Sequence, residues 1–538
     1  MLATLASAAP LAFLPGCGKQ PAPLPEGEIV GQSDALGHRL QQGWRPEPAP
    51  DAWQSRKIVI IGGGVAGLSA AWRLRRAGFT DFVLLELERE PGGTSRSGQS
   101  DICAYPWGAH YIPVPQKENA ALVRLLKEMG IVEGTDARGE PIVGEQHLCG
   151  APQERIAYKG RWYEGLYLHA GATAEDLRQF NAFQKEVDHW VAWRDGRGRR
   201  AFAIPIAAGS DDPDIRALDR ISMAEFLARK GLTSERLRWY VDYACRDDYG
   251  TFLSDTSAWA GLFYFASRVP QPGEEAEPLL TWPEGNGRLV SHLIRAVKAH
   301  VRLGVAATEV IPAERHVEVT ALDRAAQRAV GFRAERVIFA APQFLARYLI
   351  RPYREQPPAH LLDFQYAPWL VANLTLREHP GGLGFPLCWD NVFYESTSLG
   401  YVVATHQLEA PERGPTVLTY YHAFCDSDTR EARARLLAGT WQQWAEAVLA
   451  DMSRAHPNMR SLVERLDVMR WGHAMVRPRT GFVWSSARQK AAEPFRGIHF
   501  ANADLSGIAL FEEAYYHGLR AAEEVLGSLG MPPAERFI

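Results

Sequence analysis

The stretch "KIVIIGGGVAGLSAAWRLRRAG", residues Lys57 to Gly78, decides the fold. A β-branched run ends at a glycine turn, and the turn opens into a helix-forming segment, the pattern of a buried parallel strand feeding a helix. Gly62, Gly64 and Gly67 have GxGxxG spacing. The first glycine permits the tight turn, the second lets backbone approach a pyrophosphate, and the third lets helix pack closely on strand, with the phosphates at the helix N-terminus. A second strand, "FVLLE", ends in Glu86. An acid about 20 positions after the turn is placed to hydrogen-bond a ribose hydroxyl. These features together predict a dinucleotide-binding unit but leave NAD, NADP and FAD open.

The bulk composition is that of a folded globular chain, with 538 residues, 46% hydrophobic and 23% charged, enough for two or three domains. Fifty-nine basic against 63 acidic residues give a net charge of -4, which offers nucleic acid no basic face. Six cysteines, Cys17, Cys103, Cys149, Cys245, Cys388 and Cys425, are scattered without a CxxC pair, so no metal site is expected and buried thiols are.

The first 17 residues read differently. Leu2 to Gly16 form an uncharged Ala/Leu-rich run of signal-segment length, closing on "LPGC", which resembles a bacterial lipobox with Cys17 as the lipidated residue. Residues 18 to 53 read as a Pro/Gly-rich tether. The expectation is export to the periplasmic face with membrane contact through the lipidated N-terminus; without a working signal the location would be cytoplasmic. No basic n-region precedes the run.

Downstream of Glu86, "GGTSRSG", Gly92 to Gly98, breaks the tie between cofactors. Here the chain resembles the flavin amine oxidase superfamily, which includes monoamine and polyamine oxidases, protoporphyrinogen oxidase and carotenoid desaturases. The resemblance implies FAD. It places Glu86 on the ribose and Gly92 and Gly93 near the phosphates, with Thr94 where many members have arginine and Arg96 as a substitute. "WGAHYI" resembles the segment beside the isoalloxazine, which carries over Gly108, Ala109 and His110. The strand "VRLGVAATEVIPAERHVEVT" implies an adenine contact through the Ala307 amide, and "GIHFANADLSGIALFEEAYYHGLRAAEEVL" resembles the final FAD motif, with Asp504 near the pyrophosphate and ribityl chain and Ala514 on the following helix. A helix beginning near Leu510 would aim its amide dipoles at the reduced ring.

The expected fold class is α/β: a Rossmann-type FAD-binding domain, discontinuous in sequence, with an α+β substrate domain inserted. Residues 54–115, 283–345 and 468–538 form the first, and 116–282 and 346–467 the second. Helical periodicity marks "ENAALVRLLKEMG", "ATAEDLRQFNAFQKEVDHWVAWRD", "ISMAEFLARKG" and "SERLRWYVDYACRDDYG"; "WLVANLTL", "GYVVAT" and "TVLTYYHAF" read as strands, and "ARLLAGTWQQWAEAVLADM" as one helix. "WPEGNGRL" reads as a structural turn back into the FAD domain.

The chain departs from the amine oxidases at the lysine many of them hold near flavin N5. That position is Asn373, and no lysine occurs from residue 299 to residue 489; Leu510 stands where a cage tyrosine is expected. In "MRWGHAMVRPRTG", Trp471 is expected to stack near the flavin, His473 to act as acid or base, and Arg477 to hold an anion. Asp247 and Asp248 in "CRDDYG" read first as a solvated helix end and second as a face for a cationic substrate. The expected activity is hydride transfer from an organic substrate, an amine on family frequency, to the flavin, with oxygen or another electron acceptor. A desaturase or dehydrogenase of an apolar substrate, and a flavin-bearing electron-transfer or binding subunit, stand as alternatives.

Overall fold

A computed structural model of the chain describes residues 23–31, 33–274, 276, 278–408, 414–425 and 428–538. The signal-like run and Cys17 lie outside the described residues. Two sheets organise the molecule. The first has seven strands, and its parallel part runs Val301–Leu303, Phe82–Glu86, Trp53–Ile61, Arg328–Phe339, with Ile498–Phe500 beyond. Val317–Asp323 and Val305–Pro312 extend it as an antiparallel meander. Helices Val65–Arg76, Gly287–Val297 and Phe511–Ser528 cover one face, joined in a single apolar core with Ile58, Ile60, Leu84 and Ile338. This sheet and its helices are assembled from three separate stretches of chain, near residues 53–86, 287–339 and 498–528.

The second sheet has eight strands in the order Ile29–Val30, Val463–Val476, Tyr366–Leu376, Thr416–Ala423, Gly400–Val403, Asp390–Phe393, Glu154–Tyr158, Arg161–Glu164. Helices Thr429–Ala438 and Trp441–Met452 pack on its outer face, and its inner face carries Val371, Trp369, Tyr421 and Trp471 toward the first sheet. A helical cluster of Ala174–Ala192, Met223–Arg229, Glu235–Tyr249 and Ala258–Ala266 closes the third side.

Three details differ from the sequence reading. The strand Val463–Val476 crosses the boundary drawn between residues 467 and 468, because it pairs along its length with Tyr366–Leu376; Trp471 and His473 therefore belong to the eight-stranded sheet. The segment read as a tether carries the strand Ile29–Val30, paired in parallel with Val468 and Met469, and the helix Asp34–Gln41. The single helix expected across "ARLLAGTWQQWAEAVLADM" is two. Gly439 ends the first, since a Cβ there would lie 2.4 Å from the Trp444 ring, and Thr440 starts the second with a reciprocal capping box to Gln443. Thr440→Ala is expected to cost about 1 kcal/mol, read as a lowered urea midpoint at unchanged slope.

Candidate active site

The glycine turn is built as its spacing demands. Gly62 sits at φ +104°, a left-handed conformation that glycine adopts without strain, and its N–H donates to Leu85 O at 2.9 Å. A Cβ on Gly67 would lie 1.9 Å from Gly62 O, so glycine there is what lets helix and strand touch. Around Gly64, the cap of the helix Val65–Arg76, a Cβ would meet nothing within 4 Å. That open space at a helix N-terminus fits a pyrophosphate. Gly92, at φ +118°, donates its N–H to Gly63 O at 2.8 Å and pairs as a bridge with Gly64, so the second glycine turn lies against the first.

Glu86 completes the cradle. Its Oε2 accepts the Gly63 N–H at 2.6 Å and its Oε1 the Glu88 N–H at 2.8 Å. Burial raises its pKa, and the neighbouring Glu88 adds to the effect. A carboxylate has about four acceptor sites, so two remain for ribose hydroxyls. The residues present therefore fit FAD at this end.

Thr94 acts through its backbone: Thr94 O accepts the Ala109 N–H at 2.9 Å, and a Cβ on Gly108 would lie 2.3 Å from that oxygen. The Gly92–Arg96 turn is thereby locked to "WGAHYI". Arg96 is buried and turns to the eight-stranded sheet, donating to Met469 Sδ at 3.4 Å and lying 5.5 Å over the Trp471 ring. Ala109 O accepts the Asn286 N–H at 3.1 Å, and Asn286 Nδ2 donates to Tyr111 O, so "WPEGNGRL" is the structural brace expected of it. His110 stacks on Tyr421 at 4.7 Å, with Trp389 at 5.5 Å, and burial pushes its pKa down to about 4, leaving a neutral ring at physiological pH. Tyr421 donates its hydroxyl to Gly108 O at 2.9 Å.

At the far end, Asp504 lies buried in the turn Ala503–Ser506. Its Oδ2 accepts the Tyr366 hydroxyl at 2.6 Å and the Gln343 N–H at 2.9 Å, and burial raises its pKa to about 6. Helix Phe511–Ser528 follows with Leu510 as cap, and the Glu512 carboxylate accepts its own N–H in the first turn; Ala514 packs against the apolar core of the first sheet. Ala307 sits at a bulge in Val305–Pro312, opposite Ala321.

The residues expected to carry chemistry are placed apart. Asn373 is buried, with Nδ2 donating to Pro106 O at 3.1 Å and Oδ1 accepting the Thr419 hydroxyl at 2.7 Å, so its amide anchors the "WGAHYI" segment to the sheet. Trp471 Nε1, from the neighbouring strand, donates to the next carbonyl, Trp107 O, at 2.6 Å. His473 stacks on Phe344 at 3.9 Å beside Tyr366; burial, with Arg433 nearby, lowers its pKa to about 3, which leaves it uncharged at neutral pH. Arg477 is buried against Thr251 Oγ1, 3.6 Å from Asp255.

The sequence reading held Asp247 and Asp248 as a face for a cation only in second place, and it missed Glu154 and Asp390, which the fold gathers with Asp247 into one cluster of carboxylates near Tyr421. The helix end read as solvated at "CRDDYG" is internal at Asp248, which is 4% exposed and bonded to Arg268 at 2.5 Å and to the Tyr111 hydroxyl at 3.1 Å, while Asp247 is half-buried. Asp247 and Glu154 accept no side-chain hydrogen bond among the described residues, and burial raises each to about 7. Asp390, next to Trp389, is raised well above the usual carboxylate range by burial and by Glu154 and Asp247, while the Asn391 N–H and the Tyr243 hydroxyl, the latter at 3.4 Å, donate to it. The cations acting on this group, Arg268 and Arg246, are already bound to Asp248 and Asp242. The rings of Tyr243, Trp239, Trp389 and Tyr421 belong to the apolar cluster packed beside these acids. Asp247 and Asp248 end the helix Glu235–Tyr249, whereas Glu154 and Asp390 are single letters in two strands, and only the tertiary fold brings them together. Among the described residues no group of His, Cys, Asp and Glu could hold a metal ion, and no helix is long and apolar enough to cross a membrane.

Comparison with known proteins agrees with this geometry. The model of the family described as flavin containing amine oxidoreductase matches residues 65–526. Oxidoreductase PigB of a Serratia species is 23% identical over 533 residues, 88% of this chain and 75% of that protein. Bovine peroxisomal N(1)-acetyl-spermine/spermidine oxidase is 36% identical over 100 residues, and a Streptomyces coelicolor Baeyer-Villiger monooxygenase 46% identical over 54. These last two matches span only 19% and 10% of the relatives' lengths, and 18% and 10% of this chain. Among solved structures, putrescine oxidase bound to putrescine superposes with a TM-score of 0.59 at 16% identity, covering 88% of this chain and all of that one. Cyclohexylamine oxidase from Brevibacterium oxydans gives 0.61 at 16% identity, covering 89% and 100%.

Proposed function

Since the chain belongs to the flavin-containing amine oxidoreductase family, we propose that it is an FAD-dependent oxidoreductase acting on an amine that carries more than one positive charge. The observation behind this reading is the cluster of Asp247, Glu154 and Asp390 among aromatic rings, with its neighbouring cations, Arg268 and Arg246, already paired with Asp248 and Asp242. Three carboxylates crowded in a low-dielectric space repel one another, and cationic groups relieve that cost.

The flavin, when bound, supplies the hydride acceptor and passes electrons on to oxygen or another acceptor. Gly64, Glu86, Gly92 and Asp504 would hold it. The chain's other residues do the remaining work. Asp390 and Glu154 bind and orient ammonium groups, the rings of Tyr421 and Trp389 exclude water around the alkyl part, and an Asp247 carboxylate oxygen is placed to take the ammonium proton. The neutral His110 ring acts as a wall. Sharing a fold with putrescine oxidase supports the cofactor site and leaves the substrate to the chemistry of the carboxylate cluster.

The test is anaerobic bleaching of the purified yellow protein. Linear diamines or polyamines are expected to bleach it at least about tenfold faster, at equal low concentration, than monoamines of the same length, one extra charge pair contributing about 1.4 kcal/mol. Bleaching by apolar alkenes alone would support a desaturase instead, and no bleaching by any small molecule an electron-transfer subunit.

A further inference from the structure

The N-terminal arm reaches the cofactor cradle at two places. Ile29 and Val30 pair with Val468 and Met469 at the edge of the eight-stranded sheet. Gly31 follows at φ +104°, and a Cβ there would lie 2.3 Å from Met469 Sδ and 2.6 Å from Arg96 Nη2, so glycine is required for the arm to pass this close to the second glycine turn. Ser33 then donates its N–H to Glu88 Oε1 at 2.8 Å and its hydroxyl to Glu88 Oε2 at 3.0 Å. One residue thus satisfies both oxygens of an acid 55 positions away. Arg45 fastens the other end, donating to Tyr348 O at 2.8 Å and Leu40 O at 2.7 Å.

Glu88 in turn holds Glu86. Its N–H donates to Glu86 Oε1 at 2.8 Å, and its own carbonyl accepts the Gly304 N–H at 2.9 Å. Arg324 stands 3.8 Å from its carboxylate. With Gly63 on Oε2, these bonds fix the plane of the Glu86 carboxylate and so the direction of its two free acceptor sites.

We propose that Ser33 and Glu88 are positioning residues of the FAD site. The arm locks Glu88, and Glu88 keeps the Glu86 carboxylate turned toward the adenosine ribose. The inference rests on the FAD reading given above. It makes the stretch before the first long strand a working part of cofactor retention, fastened at the sheet edge, at Ser33 and at Arg45.

The experiment uses the full-length apoprotein and measures dissociation constants by flavin fluorescence, for FAD and for an FAD analogue lacking the adenosine 2′-hydroxyl. Ser33→Pro removes both donors and Ser33→Thr keeps both. Ser33→Pro is expected to weaken FAD about tenfold while changing the analogue less than twofold, and Ser33→Thr to bind both like the unaltered chain. Ser33→Ala, which keeps the N–H, is expected to fall between. Equal FAD affinity in all variants, or equal weakening of FAD and analogue by Ser33→Pro, would overturn the proposal, the second result marking the arm as a general fold brace. If the unaltered chain binds no FAD, the underlying cofactor reading fails first.

Discussion

Gly64→Ala is expected to leave the apoprotein as stable as before and to weaken FAD binding at least a hundredfold, whereas Gly67→Ala damages the fold itself. The two glycines belong to one motif but meet different neighbours. At Gly64, φ is -71° and the space around a Cβ is open, so alanine costs the protein nothing; the methyl occupies the position that a pyrophosphate must approach. At Gly67 the added carbon lies 1.9 Å from Gly62 O and 3.3 Å from the Ala340 side chain, so the helix must lift from the sheet. Overpacking of a close backbone contact costs about 3 kcal/mol, the upper part of its range. Urea melts of both apoproteins, with FAD titrations alongside, separate the effects. Equal melts for the two variants would refute the assignment of separate roles.

The second large effect lies in the carboxylate cluster. Asp390→Asn is expected to raise KM for a linear diamine about tenfold or more with little change in kcat, because the lost charge pair binds substrate and transition state alike. The pH dependence follows from the raised carboxylates. Asp247 and Glu154 are neutral below about 7 and charged above it, so affinity for the cationic substrate rises with pH through about 7 and falls again near 10, where alkylammonium groups lose their proton. The sign for stability is the opposite of the usual carboxylate case. A carboxyl whose folded pKa is raised binds its proton more tightly in the native state, so its contribution is complete below the unfolded value and is lost as pH rises through about 7. The apoprotein is therefore expected to melt lower at pH 8 than at pH 6. A substrate affinity that falls between pH 6 and 8 would refute the role of the cluster.

Much of the cofactor site was legible because its chemistry is local. The GxGxxG turn, Glu86 at the end of the second strand and the Gly92–Gly93 doublet owe their positions to spacing along a strand–turn–helix unit, which survives translation from sequence to space. Asp504 and the last helix were singled out through resemblance alone, since only a family pattern ties residue 504 to residue 62. The carboxylate cluster was not legible as a whole. Asp247 and Asp248 look like a polar helix end until the Arg268–Asp248 ion pair and the Tyr111 hydroxyl show that this end points inward. Glu154 and Asp390 come from neighbouring strands of the second sheet, where Asp390 pairs with Glu154, a register that no local pattern encodes. Asn373 and His473 were singled out by position in the chain. The structure gives Asn373 an anchoring pair of bonds and stacks His473 on Phe344, because strand alternation and a bulge near Ala367, rather than motif order, decide which way each side chain turns.

The interleaving of the two sheets also sets the order in which the chain can mature. Helix Val65–Arg76 is made early, yet the surface that covers it comes from Phe511–Ser528, and Arg73 finds its carboxylate on Glu523, 450 residues later. Ile498–Phe500 likewise waits to pair with Val337, Ile338 and Phe339. Closing loops of that length comes late in folding, and strands paired across such separations fold slowly. During synthesis the dinucleotide turn therefore exists with a bare apolar flank, a surface that chaperones recognise and aggregation exploits. A ribosome stalled before residue 498 would hold a nascent chain unable to complete the FAD cradle, whatever the quality of its glycine motif, so cofactor capture is a terminal event in the life of each molecule.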